Sequence, residues 1–179
     1  MEAAKIVLAG LVGAIVYGIL HDQVTARVCV EYFTVAHPDL FATTDPTRLA
    51  FGWGIVATWW AGLAVGVAVA LAARVGSLPK LAVRELWRPI MVLLLGMGVA
   101  AAVCGFLGYL WAESGKVAFP AVWLSEVASH RHTRFIAVAT AHDASYTAGF
   151  GGGWTLCIWV WMHRRSLSRR VETSSVASS

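Results

Sequence analysis

Four apolar runs, at about residues 6–20, 50–73, 89–111 and 135–162, leave this chain few ways to fold. A helix of about 20 apolar residues matches the hydrocarbon thickness of a bilayer. Of the 179 residues, 58% are hydrophobic and only 13% are charged, about half the charged share of a soluble domain. The chain therefore reads as all-α: a four-transmembrane-helix bundle forming a single integral membrane domain over 1–179. Residues 163–179 are expected to form a basic, partly disordered cytoplasmic tail. There is no soluble domain, no phosphate-binding loop after a strand and no nucleophile elbow. The GFGGG run at 149–153 lies within an apolar helix pattern and reads as packing.

The first run is short and follows Lys5, like a signal peptide. His21-Asp22-Gln23 comes next, with no small-x-small cleavage site, so the segment is expected to be retained. The shortness sets His21 slightly below the outer interface, within the protein. Residues 23–36 contain no helix breaker and predict an interfacial or re-entrant helix in the first outer loop, with Glu31 standing among Val28, Val30, Tyr32 and Phe33. His37-Pro38 and Asp45-Pro46 punctuate that loop with turns. The cysteines, Cys29, Cys104 and Cys157, are odd in number and widely spaced, so they predict apolar fillers rather than a disulfide framework.

Basic residues set the orientation. Nine (Lys5, Arg74, Lys80, Arg84, Arg88, Arg164, Arg165, Arg169 and Arg170) fall on the side of the termini. Five (Arg27, Arg48, Lys116, Arg131 and Arg134) fall on the other. Lys and Arg accumulate on the cytoplasmic side, so both termini are expected inside. This distribution explains the net charge of +4 by topology and gives no reason to invoke nucleic acid. The partners expected are the lipid bilayer and, since nine tryptophans suit a protein neighbour as well as lipid, a homo-oligomer or a partner membrane subunit.

Histidines and acids show the opposite bias and gather toward the outer face. His142 and Asp143 lie inside the fourth run, where charged or ionisable groups are costly and face a protein interior or a wet cavity. From His142, Tyr146, Gly149 and Gly153 follow at steps of four, three and four, on one helical face. The first run nearly mirrors this face backwards through His21, Tyr17, Gly13 and Gly10, with Asp22 beside the histidine. Packed antiparallel through their glycines, the two helices would bring His21 and His142 together near one leaflet. Gly66 lies outside this pattern and is expected to tolerate bulk.

The candidate metal ligands are His21, Asp22, Glu31, His142 and Asp143, with Glu31 folded back over the histidines. Tyr17 and Tyr146, one turn deeper, are expected to donate hydrogen bonds to the ligands. Imidazole and carboxylate suit iron, zinc or copper, without deciding among them. The same residues also fit a metal-free proton or substrate site, or a structural cluster capping helix ends. Haem is disfavoured by the acids beside both histidines and the tyrosines beneath them. His130 and His132, two residues apart, do not share a helix face and read as surface residues.

Tyr17-Gly18-Ile19-Leu20-His21-Asp22-Gln23, then Glu31-Tyr32-Phe33-Thr34, and later His142 to Tyr146, resemble the motifs of an uncharacterised family of small bacterial four-span membrane proteins with an HDQ…EYF signature after the first span. The resemblance implies a multi-pass protein of the bacterial inner membrane and supplies no activity. The reading is then a membrane protein with a His/Asp/Glu site near the periplasmic face, most simply a transition-metal site, with metal-dependent oxidoreductase or hydrolase chemistry open to it. A transporter or proton-relay component, or an assembly subunit, is the alternative.

Overall fold

The computed structural model describes residues 1–177, with side chains to Arg170 and at Thr173. The chain forms α1 (Glu2–Val28), α2 (Val30–Val35), α3 (Pro46–Val56), α4 (Trp59–Arg74), α5 (Val83–Glu113) and α6 (His132–Ala177), with single 3-10 turns at Ala121–Trp123 and Ser129–Arg131. No strand occurs among the described residues.

Three helical stretches are long and apolar enough to cross a membrane: Glu2–Val28, Pro46–Arg74 and Val83–Glu113. Their apolar side chains face outward. Leu8, Val12, Val16, Leu20 and Val24 recur every four residues along α1 and are all exposed, as are Val92, Leu95, Val99 and Val103 on α5. Exposed apolar stripes of this length suit a lipid surface, not water. The apolar stretch of α6 is diluted by His142, Asp143, Ser145 and the 149–153 glycines.

Besides earlier starts of α3 at Pro46 and α5 at Val83, element bounds depart from the sequence expectation at four places. Nothing between His21 and Val28 breaks a helix, so α1 runs on through them instead of ending at residue 20. The break falls at Cys29, whose extended backbone (φ −153°, ψ 95°) turns the chain, and the expected loop helix is reduced to the six residues of α2. The second span is interrupted at Ala57–Thr58, between α3 and α4. The segment expected to be a partly disordered tail, 163–179, continues α6 as helix to Ala177, and Ser178 and Ser179 lie outside the described residues.

Side by side, α1 packs on α3–α4 and on α5, and α6 packs on α5 and on α4. Helices α1 and α6 therefore occupy opposite corners and meet across the bundle centre. The expected glycine seam between them does not form. A Cβ on Gly10 would lie 2.8 Å from the Gly66 Cα, and one on Gly54 would lie 2.6 Å from the Ile19 Cα, so these glycines seat α1 against α3–α4. Gly66 belongs to that seam, with its own added Cβ at 2.9 Å from the Val7 carbonyl oxygen, and will not tolerate bulk. Gly13, Gly149 and Gly153 instead face Leu94, Met97 and Val65.

Two apolar clusters hold the ends of the bundle. Ile6, Val69, Leu86, Leu156 and Val160 pack at the end bearing the N-terminus. Ala26, Phe33, Trp53, Phe135 and Val138 pack at the other. The polar site lies between them, just beneath the second.

Candidate metal centre

His21 and Asp22 sit on α1, and His142 sits in the third turn of α6. The two helices run antiparallel here. Tyr17, one turn below His21, shares a 2.7 Å hydrogen bond with Ser145, just below His142. The rings of His21 and His142 meet edge to face with centroids 4.5 Å apart. Asp22 is only 4% exposed and lies 3.1 Å from His142 Nε2 through its Oδ1. One ligand atom from each of His21, Asp22 and His142 falls within 4.8 Å of the others. Bonds of about 2.0–2.2 Å to one ion join atoms up to about 4.4 Å apart, so a shift of a few tenths of an ångström closes the set.

Hydrogen bonding decides which nitrogens are free. His142 Nδ1 lies 2.8 Å from the Val138 carbonyl oxygen. A carbonyl only accepts, so Nδ1 carries the proton and, in the neutral ring, Nε2 holds a lone pair. That lone pair faces the Asp22 carboxylate, an arrangement that repels unless a proton or a cation lies between. His21 Nε2 is buried with no hydrogen-bond partner. A buried polar atom left unpaired costs about 1–3 kcal/mol. One metal ion bound by a ligand atom from each of the three residues would relieve both the repulsion and the unpaired nitrogen.

The site is roofed by aromatic rings. Tyr32 and Phe33 of α2 lie 4.7 and 5.6 Å from the His142 ring. Burial, reinforced by the nearby carboxylates of Asp143 and Asp22, pushes the Tyr32 phenol up to about 12, so it stays protonated above the site. His37 follows, 4.5 Å from Trp53, with its Nδ1 3.0 Å from the Tyr32 carbonyl oxygen. The chain after α1 does fold back over the histidines, and it covers them with Tyr32 and Phe33.

Glu31 stands elsewhere. Its carboxylate accepts two 2.9 Å hydrogen bonds from Arg131, from Nε and Nη2, and a third from the Cys29 thiol. The guanidinium supplies the charge partner that a carboxylate beside Val28 and Val30 needs, so Glu31 is not drawn to the His21–Asp22–His142 group. Asp143, one residue past His142, points off the inner face of α6 and is exposed. The tyrosines serve differently from expectation. Tyr17 stacks on His21 with centroids 5.7 Å apart and spends its hydroxyl on Ser145. Tyr146 donates to the Ala57 carbonyl oxygen at 3.0 Å, at the break between α3 and α4, where buried backbone needs a partner. His130 is exposed, and His132 stacks on Phe119 with its Nε2 2.9 Å from the Val127 carbonyl oxygen.

No family model matches this chain, and neither a curated protein nor a solved structure matches it.

The Glu31–Arg131 pair carries a pH signature. Burial alone raises the Glu31 pKa, but the Arg131 guanidinium, with backbone and Cys29 hydrogen bonds, outweighs it and holds the carboxyl below its ordinary 4.5. A depressed carboxyl pKa contributes stability above the unfolded value, and that stability is lost as pH falls through the folded value. Arg131→Gln is expected to cost about 1 kcal/mol near neutral pH, as a partly exposed bidentate pair does. In detergent unfolding titrations the gap between Arg131→Gln and the unmodified protein should narrow between about pH 6 and about pH 3. A gap independent of pH would show that Arg131 acts through packing alone.

Proposed function

We propose that this chain is a four-span membrane protein that binds one transition-metal ion through His21, Asp22 and His142, with both termini in the cytoplasm of a bacterial cell and the site toward the periplasmic face. The single observation that carries the reading is the unpartnered, buried Nε2 of His21 beside a second imidazole lone pair and a buried carboxylate. Two histidines and one carboxylate leave coordination positions for water or substrate, as in catalytic zinc and non-haem iron sites. Such an ion supplies Lewis acidity, or redox chemistry if it is iron or copper. The protein's part is to fix the three ligands from helices in opposite corners of the bundle and to seal them from water with Tyr32 and Phe33.

A metal-free proton relay fits less well. Below the Tyr17–Ser145 pair lies a cavity of about 100 Å³ walled by Gly10, Gly13, Ala14, Val65 and Leu93. The polar groups stop there, and a relay would lack its inner half.

Metal analysis of protein purified in mild detergent tests the reading. One equivalent of iron, zinc or copper is expected. Ala at His21, Asp22 or His142 should each abolish it, while Glu31→Ala and His130→Ala should retain it. Folded protein that takes up none of the three ions on loading would overturn the metal reading.

The fourth span belongs to the same proposal. Helix α6 has 46 residues, roughly 69 Å at 1.5 Å per residue, more than twice the hydrocarbon thickness. It crosses once and projects the basic end beyond the buried Arg164, Arg165 to Arg170, into the cytoplasm. Reporter fusions at Ser77 and after Arg170 should report cytoplasm, and fusions at Thr44 the outside. An inside signal at Thr44 would invert the site's placement.

A further inference from the structure

A cleft of about 510 Å³ lies along one side of the bundle between α1, α5 and α6. Its volume is that of a small-molecule site. It exists because α5 presents Gly98, Ala101, Ala102 and Gly105 there, at steps of three, one and three, and none sends out a side chain to fill the gap toward α1. Leu20, Val24 and Phe106 line it too and are exposed on the lipid-facing surface. The cleft therefore opens sideways into hydrocarbon. No Lys, Arg, Asp or Glu lines it.

His21 joins this cleft to the metal centre. Its ring lines the cleft, its Nε2 is fully buried without a partner, and the residue groups with Asp22 and His142. With Nε2 given to a metal, the neutral ring carries its proton on Nδ1. A metal-bound histidine almost always donates that second N–H to a carboxylate, a carbonyl or water. His142 does so to Val138. For His21 no protein acceptor stands at Nδ1 among the described residues, and the cleft is where an acceptor can arrive.

We propose that the cleft binds a membrane-dissolved, uncharged amphiphile whose carbonyl head accepts the His21 Nδ1 hydrogen and whose apolar tail lies along Ala102 and Phe106. An anionic head is disfavoured because no cation lines the cleft. A water-soluble substrate is disfavoured because the rim faces acyl chains. The proposal rests on the metal reading only for which nitrogen of His21 holds the proton. The cleft itself is independent of it.

The test uses the full chain in lipid nanodiscs, an azido-quinone with a decyl tail as photolabel, and mapping of the adduct by mass spectrometry. Metal content is measured on the same samples. Labelling is expected within 20–28 and 98–109, competed by unlabelled decyl quinone. Ala102 is exposed, so Ala102→Phe fills the cleft without touching the ligands. It should lower specific labelling about tenfold and leave metal content unchanged. Gly98→Leu, where an added Cβ meets only a Tyr17 ring carbon at 3.9 Å, should do the same. Labelling spread over the whole lipid face, or unchanged in both variants, would overturn the cleft proposal even in metal-loaded protein. So would a phospholipid retained in the cleft and not displaced by quinone. Cleft labelling that both variants abolish, in folded protein that takes up no iron, zinc or copper on loading, would uphold the binding site and overturn the metal reading instead.

Discussion

Replacing Arg164 with methionine is expected to cost about 3–5 kcal/mol of stability, since it leaves several buried carbonyl oxygens unpaired at about 1–3 kcal/mol each. Arg164 is 2% exposed and is the largest fully buried side chain of the described residues. Its guanidinium donates to four carbonyl oxygens: Ala72 through Nη1, Val75 and Leu78 through Nη2 at 2.9 Å each, and Pro79 through Nε at 2.8 Å. Ala72 and Val75 end α4, where carbonyls lack intrahelical partners and the helix dipole favours a cation. Methionine keeps the apolar stem and removes every donor. Lysine keeps the charge, but its compact ammonium cannot span four acceptors arranged for a planar fork, so Arg164→Lys should recover less than half of the loss. Detergent-titrated unfolding of the three proteins measures this. A methionine variant within about 1 kcal/mol of the unmodified protein would mean that water already serves those carbonyls.

The second large effect concerns the seam between α1 and α3–α4. A Cβ on Gly62 would lie 2.8 Å from the Gly10 carbonyl oxygen and 3.1 Å from the Leu11 Cα. Both obstacles are backbone, so the helices themselves must part. Gly62→Leu and Gly54→Leu are each expected to destabilise by more than about 3 kcal/mol, the upper range for overpacking a filled interior. Gly96→Leu and Gly151→Leu meet nothing within 4 Å and should stay within about 0.5–1 kcal/mol of the unmodified protein. Folded yield and thermal aggregation in one detergent, with all four variants side by side, separate the classes. Equal tolerance at Gly54 and Gly96 would remove the seam as the source of α1–α4 cohesion.

The meeting of His21 and His142 was legible because two ionisable groups in apolar runs have few acceptable places, and their matched offsets from helix ends give a common height. Glycine spacing finds a face but not the neighbour it packs on, and the glycines of α1 meet α3–α4 while its histidine looks across the centre at α6. Glu31 illustrates a different limit. Its need for a partner could be read from Val28 and Val30, but the choice between a metal and Arg131, 100 residues away, depends on how the loop between α5 and α6 folds back. By charge alone Arg164 reads as one topology residue among several. A sharper signal was available: Leu156, Val160 and Arg164 follow one another at steps of four, all on a buried face.

The glycine seams and the polar contacts divide the molecule along different lines. Close backbone approach joins α1 to α3–α4, and Gly105 and Gly108 lie against Ala141 and Thr140 to join α5 to α6. Each pair is an antiparallel hairpin made from one half of the chain. The bonds from Asp22 to His142, Tyr17 to Ser145, Ala57 to Tyr146, Glu31 to Arg131 and the α4 terminus to Arg164 all run from the first half to the second. The first hairpin alone thus carries two of the three candidate ligands, His21 and Asp22, and lacks His142. The His21–Asp22–His142 group forms only when the second hairpin docks on the first, so under the proposed metal reading occupancy would report completed assembly, and a bound ion would tie the two halves together.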